Sequence, residues 1–320
     1  MATITTAPGS LYSSGSLAIY VEKVAVAQFV KSTFFYDMGE QRSLPKGMHT
    51  YTFNKVDATS AIGSALTEGT TPAETSFSMS QVAITPAQYG HRVVISDVAL
   101  RDSPVDTFRT AAVELGRVLA EKVDLVIQDS IDGLTTINQD VIYAGTNTAR
   151  NTIAATDTLT AAKLAEAFAR LKSRAAPMIG NHYVAVVHPL VAHDLRIQAP
   201  SAGYTFLSIN QYTSREGLFN GEIGMIAGVR IVESPNVQVY ADTGAGAKVD
   251  VYPTYVMGEK AYGLVKTDGV QSYVVAPTAS DSDPLAQRGH VSCKIRFGAA
   301  ILKSEALIRI ESASSLGANV

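Results

Sequence analysis

Apolar positions in the first third of the chain follow two different rhythms. Leu17, Tyr20, Val21 and Val24, continuing to Lys31 and Phe35, fall at steps of three, four and seven, which predicts an amphipathic helix over residues 17–36, stopped by Gly39 and Pro45. Residues 48–96 change to an alternating, extended pattern, clearest in MHTYTF and RVVIS, with the turn-rich stretch SALTEGTTPAET between them. Gly63, Gly69, Pro72 and Pro86 break any helix there, and Ser76, Ser78 and Ser80 alternate with Phe77 and Met79 as on a two-faced strand. A hairpin of this kind buries little by itself and needs a partner surface.

The strongest helical signal opens at DSPVDTF, where Asp102 or Ser103 is placed to cap and Pro104 suits the first turn. Phe108, Ala112, Leu115, Leu119, Val123 and Val126 then form one apolar stripe, which predicts a helix over 104–131, ~40 Å long at 1.5 Å per residue. Residues 134–157 read as a polar connection. A second helix follows in TLTAAKLAEAFARLKSRAAP, with Leu164, Phe168 and Leu171 inward. YVAVVHP reads as a buried strand, with Pro189 starting a helix directly after it. Short strands, including GVRIVES and VDVYPTYVM, alternate with turns from Gly217 to Tyr262. The two alternating runs of KIRFGAAILKSEALIRIES are expected to close a sheet. The pattern is α+β, without an internal repeat of fixed period.

Composition narrows the function. The chain has 320 residues, a formal charge of −3 and 17% charged residues, low beside a typical ~25%. That balance argues against a protein whose task is to grip nucleic acid, which needs clustered Lys and Arg, so contact with DNA is expected to be loose and non-specific. It suits a chain that holds much of its surface against other protein. The first sixteen residues, rich in Ser, Thr, Gly and Pro, read as an arm ordered only against a partner. They carry no Lys or Arg and no apolar core of a signal peptide, and no run of ~18 apolar residues suggests a membrane span. The single cysteine, Cys293, reads as a small buried hydrophobe.

Candidate chemistry is thin. Gly244-Ala-Gly246-Ala-Lys248 lacks the spacing of a phosphate loop and reads as a turn, and no nucleophile elbow is present. His182, His188 and His193 lie within twelve residues, but His193 falls in the helix after the strand shared by the other two, so no metal site is expected. His290 and Cys293, three apart in a strand, point to opposite faces. Glu114, Arg117 and Glu121 stand at steps of three and four, the spacing of intrahelical ion pairs, and Arg117 and Glu121 are also candidates to face a neighbouring subunit. Glu68 and Glu74 are equally solvated turn residues or intersubunit contacts. No enzyme activity and no cofactor are expected.

Four segments carry a resemblance. LTEGTTP at 66–72, QYGHRVVISDVAL at 88–100, GEIGMIAGVRIVESPNV at 221–237 and DPLAQRGHVSCKIRFGAAILKSEALIRIE at 283–311 occur in the order seen in a podophage-like family of major capsid proteins. The chain thus resembles tailed-phage major capsid proteins of the Hong Kong phage-type shell fold. The resemblance implies an N-terminal arm at 1–45, an extended loop at 46–96, a peripheral domain at 97–178 around the 104–131 spine helix, an axial domain at 179–268, and return strands at 269–320. It implies a structural protein that assembles into hexamers and pentamers of an icosahedral virion shell around double-stranded DNA, built in the host cytoplasm. Scaffolding, portal and decoration proteins are its implied partners, with no membrane. Leu66, Thr67, Glu68, Gly69, Thr70, Pro72 and Glu74 of the loop, with Arg117 and Glu121 of the helix, are the implied assembly contacts. Some members crosslink a loop lysine to an asparagine; Lys55 is available, but no asparagine and acid match it, so a noncovalent shell is expected. A nanocompartment shell of the same fold is the alternative.

Overall fold

The computed structural model describes residues 23–29, 33–56, 69, 78–104, 106–132, 141–198, 207–208, 221–279 and 283–317. Residues 23–29 form helix α1. Of the helix expected over 17–36, residues 17–22 and 30–32 lie outside the described residues, and it does not reach residue 36: Thr33 N–H reaches back to Phe29 O at 3.1 Å, and residues 34–38 turn away. Tertiary packing overrides the helical rhythm there. Phe35 is fully buried edge-on against Tyr255, ring centroids 5.8 Å apart, and the amides of Phe34 and Phe35 donate to Asp124 rather than to helical carbonyls.

The chain continues through β1 (Glu40–Ser43), β2 (Tyr51–Val56), β3 (Met79–Ile84), β4 (Ala87–Ser96), α2 (Asp97–Asp102) and α3 (Thr107–Asp132). After α3 come β5 (Val141–Tyr143), α4 (Ala161–Ser173), β6 (Tyr183–Val187), α5 (Pro189–Ile197), β7 (Leu207–Ser208), β8 (Glu222–Ile226) and β9 (Val229–Glu233). Strands β10 (Tyr252–Met257), β11 (Tyr262–Lys266), β12 (Gln271–Val275), β13 (Arg288–Ile301) and β14 (Leu307–Ser312) complete it.

The long helix starts three residues later than its capping pattern suggests. Ser103 closes the separate helix α2 through its N–H to Ala99 O at 3.2 Å and is itself extended, the conformation that a following proline favours. Helix α3 then begins at Thr107, with Asp106 Oδ1 accepting the Arg109 N–H at 3.1 Å as an N-cap. The polar connection expected at 134–157 also contains a strand, β5, which pairs in parallel with β14, Val141 with Arg309 to Tyr143 with Glu311.

Two sheets organise the molecule. In the five-stranded sheet, β4 pairs along one edge of β13, and β12 and β11 pair along successive lengths of the other, with β1 parallel to β11 outside them. Val291, Cys293, Ile295 and Phe297 of β13 are buried with Ala112, Leu115 and Leu119 of α3, so the helix covers one face of this sheet. The seven-stranded sheet runs β5-β14-β10-β6-β9-β8-β7. Strands β6, β10 and β14 are buried at every position, as expected for a sheet covered on both faces. One face packs on α4 and α5 through Leu164, Leu171, Val191 and Leu195. The other joins the core around α3 through Val184, Val186, Tyr255 and Met257. The two runs of the C-terminal stretch therefore do not close one sheet: β13 is the backbone of the first, while β14 belongs to the second. The seven-stranded sheet draws β5 and β14 from outside residues 179–268, and β11 within that span joins the five-stranded sheet.

Candidate assembly surfaces

Strands β2 and β3 pair antiparallel from Tyr51 with Ile84 to Val56 with Met79, as a sheet of two strands. Its seat on the body is a small core of Leu44, Phe53, Ile84 and Val265. Among the described residues nothing covers the opposite face, where Thr52, Asn54, Gln81 and Ala83 are exposed. Of the alternation expected at 76–80, residues 76 and 77 lie outside the described residues, and Ser78, Met79 and Ser80 are all exposed, Met79 at 55%; the face of β3 that finds a core does so further on, at Val82 and Ile84. Lys55 Nζ lies 3.2 Å from Glu305 Oε1, and a hollow of about 480 Å³ opens beside this pair, walled by Tyr51, Phe53, Lys260 and Lys303. Of the loop residues named above, Gly69 lies in an exposed turn at φ +78°. Leu66, Thr67, Glu68, Thr70, Pro72 and Glu74 lie outside the described residues.

Helix α3 presents the other candidate surface. Arg117 bridges Glu114 at 2.7 Å and Glu121 at 3.2 Å, all about half exposed. The Arg117 hydrogen bond draws the Glu114 carboxyl below its ordinary range. The structure thus brings Arg117 and Glu121 together on the outer side of the helix, opposite buried Leu115 and Leu119.

A third feature was not singled out by sequence reasoning. Ala120, Asp124, Gln128 and Asp132 follow at steps of four, one row along α3. Asp124 is fully buried; it accepts the amides of Phe34 at 3.1 Å and Phe35 at 3.2 Å, and the side chain of Asn236 at 2.9 Å. Burial pushes its carboxyl up to about 6, against these hydrogen bonds. Gln128 donates to Asn236 O at 2.8 Å and accepts from Gln238 N at 2.7 Å. At the helix end, Asp132 accepts hydrogen bonds from the Tyr240 and Tyr255 hydroxyls and pairs with Arg309 at 3.2 Å. Arg309 in turn reaches the buried Glu311 at 2.9 Å, which also holds Arg150 at 2.7 Å, and Arg150 stacks over Tyr240. The row therefore clamps residues 34–35, the loop after β9 and strands β10 and β14 of the seven-stranded sheet to one helix. Its signal was a step-four polar line beside the apolar stripe, but its partners lie about 90 to 180 residues away in sequence.

Helix α1 crosses this helix at Gly116. A Cβ there would stand 2.6 Å from Ala25 O, so only glycine permits the approach.

The histidines are scattered in role. His188 caps α5, its Nδ1 accepting the Leu190 N–H at 3.3 Å, and stacks on Tyr252; burial lowers its pKa. His182 lies in an isolated bridge with Ile179 rather than in β6, and His193 sits 3.7 Å from Asp194. Among the described residues no three His, Cys, Asp or Glu side chains are grouped to hold a metal ion, and no helix is long and apolar enough to cross a membrane. Cys293 is buried, its thiol pushed up by desolvation, on the face of β13 opposite His290.

The profile of the family described as "Phage capsid protein" matches residues 80–310. Among solved structures, the capsid of Ralstonia phage GP4 superposes with a TM-score of 0.69 at 16% identity, covering 89% of this chain and 92% of that one. The capsid asymmetric unit of cyanophage Pam1 gives 0.62 at 15%, covering 98% and 99%, and the capsid of cyanophage P-SCSP1u 0.61 at 19%, covering 89% of each. At these identities the likeness is one of fold. No curated protein matches the chain.

Proposed function

The chain belongs to the phage capsid protein family, with the fold of a major capsid protein, and we propose that it self-assembles into hexamers and pentamers of an icosahedral virion shell that encloses double-stranded DNA. The observation that carries this reading is the hairpin. Strands β2 and β3 pack one face on the body through Phe53 and Ile84 and leave Thr52, Asn54, Gln81 and Ala83 of the other exposed, an arrangement that is stable in use when a neighbouring copy supplies the missing layer. The loop beyond Val56 and the Arg117–Glu121 side of α3 are then the contacts between copies.

In this reading α3 with the five-stranded sheet forms the peripheral domain, the seven-stranded sheet with α4 and α5 the axial domain, and β2–β3 the base of the extended loop. The α3 polar row holds these parts and the arm in one orientation, so that each copy presents the same surfaces. Each contact is modest, and closure multiplies it over many copies. The shell forms in the host cytoplasm, with a scaffold, a portal and decoration proteins as its further partners. The phage origin of the structural neighbours supports a genome container over a nanocompartment.

Sedimentation velocity of the purified chain, alone and with its scaffold, tests the proposal. Capsomers and large closed particles are expected. A chain that stays monomeric under every assembly condition contradicts it.

A further inference from the structure

Two strand edges stand open around the hollow beside Lys55. Strand β1 is the outermost of the five-stranded sheet, and among the described residues β2 pairs only with β3. Glu40 and Arg42 of β1 line the hollow of about 480 Å³, and so do five successive residues of β2, Tyr51 to Lys55. Side chains alternate across a strand, so an unbroken run against one hollow means that the hollow borders the edge of β2, where backbone N–H and C=O groups lack strand partners. An edge of this kind takes up an extended segment by main-chain pairing.

The walls indicate what kind of segment. Phe53, Val82 and Leu302 line the hollow with apolar surface, and Arg42, Lys55, Lys260 and Lys303 line it with cations. Glu40 is the one acid among the lining residues, and Arg42 holds it at 2.5 Å. Lys55 is engaged by Glu305 at 3.2 Å. Lys260 and Lys303 form no ion pair with any described carboxylate. Two cations are therefore left without a counter-charge, in a chain whose net charge is −3. Lys260 sits in the turn between β10 and β11 at φ +57°, a backbone conformation that glycine adopts with less strain. The matching charge lies in residues 57–77, which are outside the described residues. They carry Asp57, Glu68 and Glu74, and no Lys or Arg occurs between Lys55 and Arg92. Both ends of that stretch leave the hairpin where Val56 pairs with Met79. Doubled back on itself, a chain of this length reaches up to roughly 35 Å, enough to cross to an adjacent subunit.

Resting on the shell reading above, we propose that this groove receives the 57–77 segment of a second copy, its acids against Lys260 and Lys303 and its backbone along the open edge of β2. The contact is heterologous: the loop of each copy enters the groove of the next, the kind of interface that closes rings. The exposed acids of α3, Glu114 and Glu121, are already held by Arg117, which favours the loop as the source of the carboxylates.

Charge reversal on the full chain tests this, with its scaffold where one is required and capsomers read by sedimentation velocity. Lys260→Glu/Lys303→Glu and, separately, Glu68→Lys/Glu74→Lys should each lower the capsomer yield roughly tenfold at low salt, where exposed charges are least screened. The urea midpoints of the unassembled subunits should stay in place. Mixed in equal amounts, the two variants should regain hexamers, because strict alternation sets every loop against a groove of opposite charge. Pentamers should stay absent from the mixture, since an odd ring cannot alternate. The chain carrying all four changes should regain both. Recovery by that chain without recovery in the mixture overturns the proposal and places the loop in the groove of its own copy. Reversals that leave assembly unchanged overturn it too, as do losses that neither combination repairs. If the groove reversal fails to fold, the neutral pair Lys260→Gln/Lys303→Gln carries the test: the salt dependence of capsomer yield should fall to roughly half, and an unchanged dependence overturns the assignment. A natural chain that forms no oligomer overturns the shell reading together with this one, whereas particles indifferent to the reversals overturn this one alone.

Discussion

The carboxylate of Asp124 lies 2.9 Å from the side-chain amide of Asn236, across 112 residues of sequence. With the Phe34 and Phe35 amides on the same carboxylate, this one buried side chain fixes the arm and the β9 loop to α3. Its pKa, raised by burial to about 6, is above the unfolded value near 3.8. The folded state therefore binds this proton more tightly. The stability it contributes is fully present below pH ~4 and lost as pH rises through ~6, on the order of 2–3 kcal/mol in all. The carboxyls of Glu114 and Glu305, drawn down by Arg117 and by hydrogen bonding at Glu305, run the opposite way, so the difference between natural chain and Asp124→Asn isolates the group. Urea unfolding of isolated subunits between pH 4 and 7 should show this stability difference changing by that amount. A constant difference would mean that Asp124 does not titrate in this window.

The two sides of α3 should respond oppositely. Leu119 is buried at 3% exposure and Glu121 is about half exposed. Leu119→Ala should destabilise the subunit by about 2–5 kcal/mol. Glu121→Ala should change it by less than ~0.5 kcal/mol and act instead on the salt dependence of assembly, read by light scattering. A silent Leu119 change with an unfolding Glu121 change would reverse the assigned faces.

Gly116→Ala sets two effects against each other. Alanine favours a helix by about 1 kcal/mol over glycine, but its Cβ meets Ala25 O at 2.6 Å. The contact should win by displacing α1, so limited proteolysis should cut the arm faster while the remaining core stays resistant. An unchanged cleavage rate with a higher melting temperature would show that α1 does not depend on this crossing.

Removing residues 60–76 should leave a folded subunit, since the hairpin's buried seat lies at Leu44, Phe53, Ile84 and Val265. The urea midpoint of the shortened chain should match that of the natural one, while particle formation fails. Loss of the cooperative unfolding transition would place the loop in the subunit's own core.

Sequence pattern revealed elements whose stabilising partners are local or whose burial is uniform. Helix α3 keeps one apolar stripe over 26 residues, β6 is an unbroken apolar run, and Pro189 marks the start of α5. What stayed hidden depends on distant pairing. The three residues of β5 acquire strand form only from β14, and β13 and β14 enter different sheets although five residues separate them. The non-helical course of Phe34 and Phe35 is held by Asp124, about ninety residues on. At the assembly surfaces, the Arg117–Glu121 pair was legible because its spacing is its geometry. The polar row of Asp124, Gln128 and Asp132 was not, because a buried carboxylate and a solvated one look alike until the groups that donate to them are in place.

Electron cryomicroscopy of particles assembled from the purified chain, with its scaffold if one is required, examines the shell itself. Closed icosahedral particles are expected, built of hexamers and pentamers, with the β2–β3 hairpin of each copy lying across its neighbour. Open filaments, small rings, or closed particles in which the hairpin touches no neighbouring copy would contradict the assembly described here.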